Sequence, residues 1–415
     1  MTPALFPAAV TLFLALALFT ASLVHHGIYV FSLGALILLA IRLFYPPRQR
    51  PDGEEKCLLG IFFWAFLSAI PQVIMDLGFT GRALDHSSRF LLVGLIFTGV
   101  ILGRVELRGV WLRLSLLLAG IGSGVYALVQ FYLQDIRRVS GGVNVNSFGN
   151  LTGALFLVAI TFLFFADRGK WLLLSVLAIP LAGLAVFLTG LRANWLAVIL
   201  VTATLLATML VRRDNKMLYQ RLLLALGLCL GLGLAIFLLR DFRSVVDSRL
   251  REGMSDISVY QEDETIVMST SIGARLVMWK LALRYFQESP LLGLGLKQRQ
   301  IFHQQLVEEG FTKAKLNPYG TLHNELLNAM AMRGILGLSA ILLLYGVPLV
   351  FFLRRWRSPD PEVVCPALSG LGVVLLWIIF GYANEPLYLH VSTTFYGLLI
   401  MVLAVGVKQA ERRRG

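Results

Sequence analysis

The 415-residue sequence is short of charge. Only 15% of its residues are charged, 57% are hydrophobic, and the mean hydropathy is +0.75. Soluble domains contain about 25% charged and about 45–50% apolar residues. This composition excludes an ordinary soluble domain and indicates a chain that lies mostly within a membrane.

Cysteine and the common metal-binding motifs are also scarce. Cys57, Cys229 and Cys365 each lie in or beside a long apolar run, so no disulfide framework is indicated. The sequence contains no Cys-x-x-Cys and no His-Glu-x-x-His pattern, and it therefore suggests no metal site. The net charge of +13 comes from basic residues scattered over many loops, which disfavours nucleic-acid binding.

What the sequence has in abundance is apolar runs of the length that spans a bilayer, about 20 residues each. About twelve such runs begin near Leu5, Ile28, Cys57, Phe90, Val110, Leu151, Trp171, Trp195, Leu222, Leu326, Val363 and His390. The first lacks a basic start and a small-residue cleavage site, so we expect a span and not a signal peptide. The sequence predicts an all-α, polytopic integral membrane protein of about 12 transmembrane helices.

The basic residues predict the orientation. Twenty of the 37 lysine and arginine residues fall in loops on one side of the predicted membrane, and five fall in the short loops on the other side. By the positive-inside rule both termini are then cytoplasmic. In a Gram-negative bacterium the protein would be a multi-pass protein of the inner (cytoplasmic) membrane, with its active site on the periplasmic side.

One long hydrophilic segment interrupts the apolar runs. It divides the chain into residues 1–239 with transmembrane helices 1–9, a large periplasmic loop at 240–325, and residues 326–415 with helices 10–12. Within the loop, apolar residues at helical spacing predict a helix from about Ile272 to Gln287 and a second from Lys297 to Glu309. A site between loop and bundle would suit a substrate with a lipid anchor and a polar head.

Few ionisable residues lie inside the predicted spans, which disfavours an ion pump or an ion-coupled transporter. Such residues gather at the outer ends instead: Arg82, Arg89, Arg192, Arg275, His323, Glu325 and Glu385. Arginine suits phosphate because its planar fork donates two parallel hydrogen bonds. Histidine accepts a proton near neutral pH, so it can serve as a general base. Taken singly, these residues have plainer explanations as helix-end, surface or interfacial groups.

Three segments together resemble the O-antigen ligase and O-antigen polymerase superfamily. They are Thr189–Ala197, with its Leu-Arg-Ala-Asn-Trp turn; Gly273–Gly295, with Arg-x-x-x-Trp and Pro-x-x-Gly-x-Gly; and His323–Gly337, which begins a span with His-Asn. Their order, spacing and predicted topology match that family between Thr189 and Leu344. Many relatives have serine where this chain has Leu191.

The resemblance implies a GT-C-like glycosyltransferase. The donor would be a polysaccharide (the O-antigen) on undecaprenyl pyrophosphate, and the acceptor a sugar hydroxyl of lipid A–core. Carried over by matching position, His323 would be the catalytic base, and Arg192 and Arg275 would contact the pyrophosphate. Arg82, Arg89, Asn324 and Glu325 are possible supporting residues. The family is regarded as inverting and metal-independent, so the resemblance implies no cofactor.

Three other functions fit the same pattern less well. An O-antigen polymerase would use a second lipid-linked glycan as acceptor, and a protein O-oligosaccharyltransferase would use serine or threonine. A flippase for lipid-linked glycans belongs to a different class. It would need a cationic path through the bundle, and the predicted spans carry no such row of charges.

The predicted orientation can be tested by cysteine labelling, on a background in which the three native cysteines are replaced. Glu308→Cys should react with a membrane-impermeant thiol reagent in cells whose outer membrane has been permeabilised, because it lies in the periplasmic loop. Asn215→Cys, in a predicted cytoplasmic loop, should react only after lysis. Labelling of Asn215→Cys alone in intact cells would reverse the topology.

Overall fold

The computed structural model describes residues 5–43, 50–165, 169–211, 216–238, 244, 271–314 and 320–414. Within these ranges no strand occurs, and besides a short π-helix at Val129–Leu133 every regular element is an α-helix. In chain order they are α1 (Leu5–Thr20), α2 (Gly27–Leu43), α3 (Gly53–Leu67), α4 (Ile70–Met75), α5 (Arg82–Leu102), α6 (Gly109–Leu128), α7 (Val145–Phe164), α8 (Lys170–Leu188), α9 (Arg192–Val211), α10 (Lys216–Leu238), α11 (Ser271–Glu288), α12 (Gly295–Glu308), α13 (Glu325–Leu353), α14 (Pro361–Gly381) and α15 (His390–Arg412).

The all-helical, membrane-spanning prediction is confirmed. Among the described residues, nine helical segments are long and apolar enough to cross a membrane, with α3 and α4 forming one of them. Shorter apolar helices lie at three further positions, in α1, α2 and α10, so the count of twelve spans stays a prediction. The run expected to start near Phe90 starts at Arg82 instead, because its first two turns are polar but helical.

The helices α7 and α15 form the centre of the bundle, since nearly all of their residues are buried. α14 packs against α15, α13 and α7, and α6 packs against α7 and α8. Large aromatic side chains fill the centre: the rings of Trp377 and Phe395 stack with centroids 6.4 Å apart, and Tyr396 donates to the carbonyl of Leu344 at 2.8 Å. This packing fixes the positions of α13, α14 and α15 relative to one another.

The arginine-rich end of the bundle is tied together by ion pairs. Arg355 donates to Glu54 at 2.6 Å and to Glu411 at 2.7 Å, and Lys408 lies 3.0 Å from Glu54. Arg412 pairs with the buried carboxylate of Glu55. The start of α3 is therefore bound to the ends of α13 and α15, which lie 301 to 357 residues further along the chain.

The two helices predicted within the long hydrophilic segment are confirmed as α11 and α12. Buried side chains of α11, including Leu281 and Tyr285, pack with Leu294, with Leu306 of α12 and with Ala331 of α13. The preceding part of the predicted loop, residues 240–243 and 245–270, lies outside the described residues. The described part forms a small apolar cluster that packs on the N-terminal half of α13.

The turn from Pro290 to Gly295 docks on α13 backbone to backbone. α13 is kinked at Gly334, where φ is +57°, and Gly293 has φ of +70°. The N–H of Leu294 donates to the carbonyl of Ala331 at 3.0 Å, and the N–H of Ile335 donates to that of Pro290 at 2.8 Å. A Cβ on either glycine would collide with the opposite backbone. This contact explains why glycine stands at position 293 of the Pro-x-x-Gly-x-Gly motif and at position 334 of α13.

A buried carboxylate fixes the start of α12. Asp76, which is fully buried just after α4, accepts hydrogen bonds from the backbone N–H groups of Leu296 at 2.9 Å and Lys297 at 2.9 Å. The N-terminus of a helix carries unsatisfied N–H groups and partial positive charge, so an acid there is stabilising. A segment near residue 76 thus anchors a helix 220 residues later.

Gly293→Ala should destabilise the protein, because it adds a Cβ at positive φ against the backbone of α13. We expect a loss on the order of 1–3 kcal/mol, seen as a lower midpoint of thermal unfolding of the purified protein. The matched control is Gly346→Ala in α13, where a Cβ meets open space. Equal midpoints for the two variants would contradict the docking role of the turn.

Candidate active site

His323 lies in the short link that leads into α13, in a left-handed backbone conformation with φ of +52°. This conformation is uncommon for a residue with a side chain and requires support from its surroundings. Asn324 follows as the N-cap of α13, its side chain accepting from the N–H of Leu327 at 3.1 Å. The His-Asn pair is thus a strained residue followed by a helix cap.

Two buried carboxylates join this link to the loop between α14 and α15, and each accepts a backbone hydrogen bond from the opposite segment. Glu385 of the loop accepts from the N–H of Asn324 at 3.2 Å and lies within hydrogen-bonding reach of the N–H of His323. In return, Glu325 accepts from the N–H of Leu387 at 2.8 Å. We call this pair of contacts the carboxylate brace. It supplies the support that the positive φ of His323 requires.

Arg275 and Trp279 reach the same link from α11. They are four residues apart and therefore share one face of the helix. The indole N–H of Trp279 donates to the carbonyl of His323 at 3.4 Å. The Arg275 guanidinium lies close enough to act electrostatically on both His323 and Glu385. The Arg-x-x-x-Trp spacing thus places a cation beside the histidine and a donor on its backbone.

Burial is the largest influence on the pKa values of His323 and Glu385. His323 is half-buried, and burial together with the neighbouring charge of Arg275 lowers the pKa of its imidazole. Burial raises the pKa of Glu385 to about 7, although the hydroxyl of Thr321, the two backbone N–H groups and Arg275 oppose this shift. The imidazole of His323 is therefore neutral, and able to accept a proton, at neutral pH.

Arg192 is the first residue of α9, in a sharp turn after α8. Trp195, one turn later, donates its indole N–H to the carbonyl of Phe187 at 3.2 Å and satisfies the end of α8. Asn194 donates to the buried side chain of Asn150 in α7 at 3.0 Å. These contacts explain the Arg-Ala-Asn-Trp motif as a rigid turn with Arg192 at its tip.

The two other predicted arginines lie on α5, and His303, a second histidine of the long hydrophilic segment, lies on α12. Arg89 pairs with Asp85 at 2.6 Å on α5, and its guanidinium lies 4.3 Å from the ring centroid of Tyr29. Arg82 begins the same helix. His303 has both ring nitrogens engaged, with the Tyr285 hydroxyl at 2.8 Å and the Ala314 carbonyl at 2.9 Å, so it holds α12 in place.

Comparison with known proteins supports the resemblance. A family model described as "O-Antigen ligase" matches residues 176–342, a stretch that contains Arg192, Arg275 and His323. An O-antigen ligase of Escherichia coli K12 is 26% identical over 140 residues, which cover 33% of this chain and 32% of that protein. The segment from residue 176 to residue 342 is therefore similar to the O-antigen ligase family.

A second relative covers nearly the whole chain. An uncharacterized protein of Haemophilus influenzae Rd is 25% identical over 374 residues, which cover 88% of this chain and 90% of that protein. The superfamily match ends before the loop between α14 and α15, so Glu385 lies outside the matched residues. Glu385 is one of the two acids predicted at the outer ends of the spans, and only the structure shows that it is buried against the His323 link.

Glu385→Ala should lower both stability and turnover, because it leaves two buried N–H groups without an acceptor and releases His323. The loss of stability should be about 1–3 kcal/mol. Glu385→Gln keeps one acceptor oxygen and should lose less of both. Glu288→Ala, an exposed acid at the end of α11, is the control. Thermal unfolding and turnover per folded molecule are measured, and a Glu385→Ala variant that matches Glu288→Ala in both would contradict the brace.

The raised pKa of Glu385 determines whether the protein becomes more or less stable as the pH rises. Its folded-state pKa of about 7 lies above the unfolded value of about 4.3, so its contribution to stability is present in acid and is lost as pH rises through 7. Raising the pH from about 5 to 8 should therefore lower the unfolding midpoint of the wild type relative to Glu385→Gln. If the difference between the two unfolding midpoints stays constant over this pH range, Glu385 does not titrate within it.

Proposed function

We propose that this protein is an O-antigen ligase that acts at the periplasmic face of the inner membrane. It transfers polysaccharide from undecaprenyl pyrophosphate to a sugar hydroxyl of lipid A–core. The observation that carries the proposal is a histidine braced in a strained conformation, with an arginine beside it, at the outer end of a membrane bundle of this superfamily.

His323 is the general base of the proposed reaction. Its neutral imidazole takes the proton of the acceptor hydroxyl, and the oxygen attacks the anomeric carbon of the donor. The bond between that carbon and the pyrophosphate oxygen breaks on the opposite face, so the configuration inverts. The proton stays on His323 until the next exchange with water, and undecaprenyl pyrophosphate leaves with the electron pair of the broken bond.

Arg192 and Arg275 bind the pyrophosphate in this proposal. Each guanidinium offers two parallel hydrogen bonds and keeps its charge at every physiological pH, which stabilises the charge that develops on the leaving group. Placed on α9 and α11, the two arginines approach the donor from different helices. They perform the charge stabilisation that a divalent cation performs in other transferases, so the proposed reaction is metal-independent and needs no cofactor.

The central test is His323→Ala. Removing the base should lower turnover at least about 100-fold, while binding of the lipid-linked donor survives because both arginines remain. Assays with purified protein, donor and lipid A–core are run in excess EDTA, and wild-type activity should persist there. His25→Ala, an exposed outer histidine, and His303→Ala should keep wild-type turnover per folded molecule. Wild-type turnover of folded His323→Ala would refute the mechanism.

The pH–rate profile tests the proposed influence of Arg275 on His323. Activity should fall on the acid side as His323 becomes protonated, and the midpoint should lie below the ordinary histidine value of about 6.5, because burial and Arg275 lower the pKa. Arg275→Gln should move that midpoint to higher pH, in addition to weakening donor binding. An unmoved midpoint would separate Arg275 from the base.

A further inference from the structure

A second polar cluster lies at the outer end of the bundle, beside the proposed active site. Six side chains form a continuous chain of contacts, from Tyr29 through Arg89, Asp85, His390 and His86 to Tyr388. Their distances are 4.3 Å from Arg89 to the Tyr29 ring, 2.6 Å from Arg89 to Asp85, 3.3 Å from His390 to Asp85, 4.2 Å between the two imidazole centroids and 3.9 Å from His86 to Tyr388. We call these six residues the outer cluster.

The outer cluster contains buried nitrogen atoms without a hydrogen-bond partner. They are Nδ1 of His86, Nε of Arg89 and Nδ1 of His390, which faces Asp85 without hydrogen-bond geometry. A buried polar atom without a partner costs free energy and requires an explanation, such as a bound water or ligand. Three such atoms on α5 and α15 within one group of touching side chains point to a ligand.

The charge around the outer cluster is mainly positive. Arg82, Arg89 and Arg333 lie close enough to act on His86, and Arg299 acts on Tyr388. Of the acids nearby, Asp76 already accepts from the backbone of α12, and Glu325 accepts from Leu387. Asp85 is shared between Arg89 and His390. This balance favours an anionic ligand over a neutral one.

The outer cluster is reachable from the surface and close to His323. The side chains of Asp85, His390 and Arg89 are 50%, 39% and 22% exposed. Tyr388 and Glu385 close a turn in which the N–H of Tyr388 donates to the carbonyl of Glu385 at 2.9 Å, which puts their Cα atoms within about 7 Å. One loop thus carries both a contact of the His323 link and a wall of the outer cluster.

We infer that the outer cluster binds an anionic group, a phosphate or carboxylate, of the lipid-anchored acceptor, with Arg82 and Arg89 as its main cations. The inference rests on the proposed function for the identity of the acceptor. It assigns Arg82 and Arg89 to the acceptor and leaves Arg192 and Arg275 with the donor pyrophosphate. Binding an anionic group there would hold the acceptor glycan beside the base, and would distinguish acceptors that carry such groups from those that do not.

Equilibrium binding tests this assignment without turnover. Lipid A–core, with and without its phosphates, is titrated into His323→Ala protein held in phosphatidylcholine nanodiscs. The phosphorylated acceptor should bind at least about tenfold more tightly, the change expected for one charge-assisted hydrogen bond. Adding Arg89→Gln or the exposed Arg82→Gln should remove that preference. Arg137→Gln is the matched control, since Arg137 also pairs with an acid, Asp135 at 3.2 Å, and lies 5.4 Å from the Phe131 ring.

Three outcomes would overturn the assignment. Both variants could keep the preference for phosphorylated acceptor. Arg89→Gln could instead weaken binding of undecaprenyl pyrophosphate, which would place it with the donor. Its effect could appear only when phosphatidylglycerol is added, which would make the ligand a phospholipid headgroup. If the wild type binds as expected but transfers no glycan, the proposed ligase activity fails and the anionic site stands.

Discussion

The backbone contact between Gly293 and Gly334 is the constraint on which the proposed site depends. It seats the turn after α11 against the kink of α13 at van der Waals distance, which only residues without a Cβ permit. Once that turn is seated, the direction of α11 is fixed, and Trp279 and Arg275 face the link before α13. A shift at this contact would move the arginine away from His323 without altering either residue.

Much of the fold could be predicted from the sequence because its signals are local. Long apolar runs gave the spans, and helical spacing of apolar residues gave α11 and α12. The start of α5 could not be found this way, since a hydropathy pattern reports apolar composition and not helicity. Its first two turns carry Arg82, Asp85 and Arg89, and Arg89 pairs with Asp85 one turn away on the same helix.

The candidate site was predicted in part. His323, Arg275 and Arg192 stand in short motifs, and the structure places the first two together. The carboxylate brace joins residues about 60 positions apart, and the Asp76 anchor joins residues 220 positions apart. No periodicity or motif reports such pairs, because each partner is an ordinary acid in its own segment. Their role becomes visible only when burial and distance are known.

The ion pairs at the arginine-rich end have a consequence for biosynthesis. Glu54 and Glu55 lie in the first turn of α3, yet their partners Arg355, Lys408 and Arg412 are translated 301 to 357 residues later. Among the described helices the central helix α15 is the last in chain order, and Glu385 lies just before it. Until those partners are made, Glu54 and Glu55 lack these ion pairs and the early spans lack the central helix α15. A chain that stops before α15 lacks one of the two central helices of the bundle, and it also lacks Lys408 and Arg412, the partners of Glu54 and Glu55.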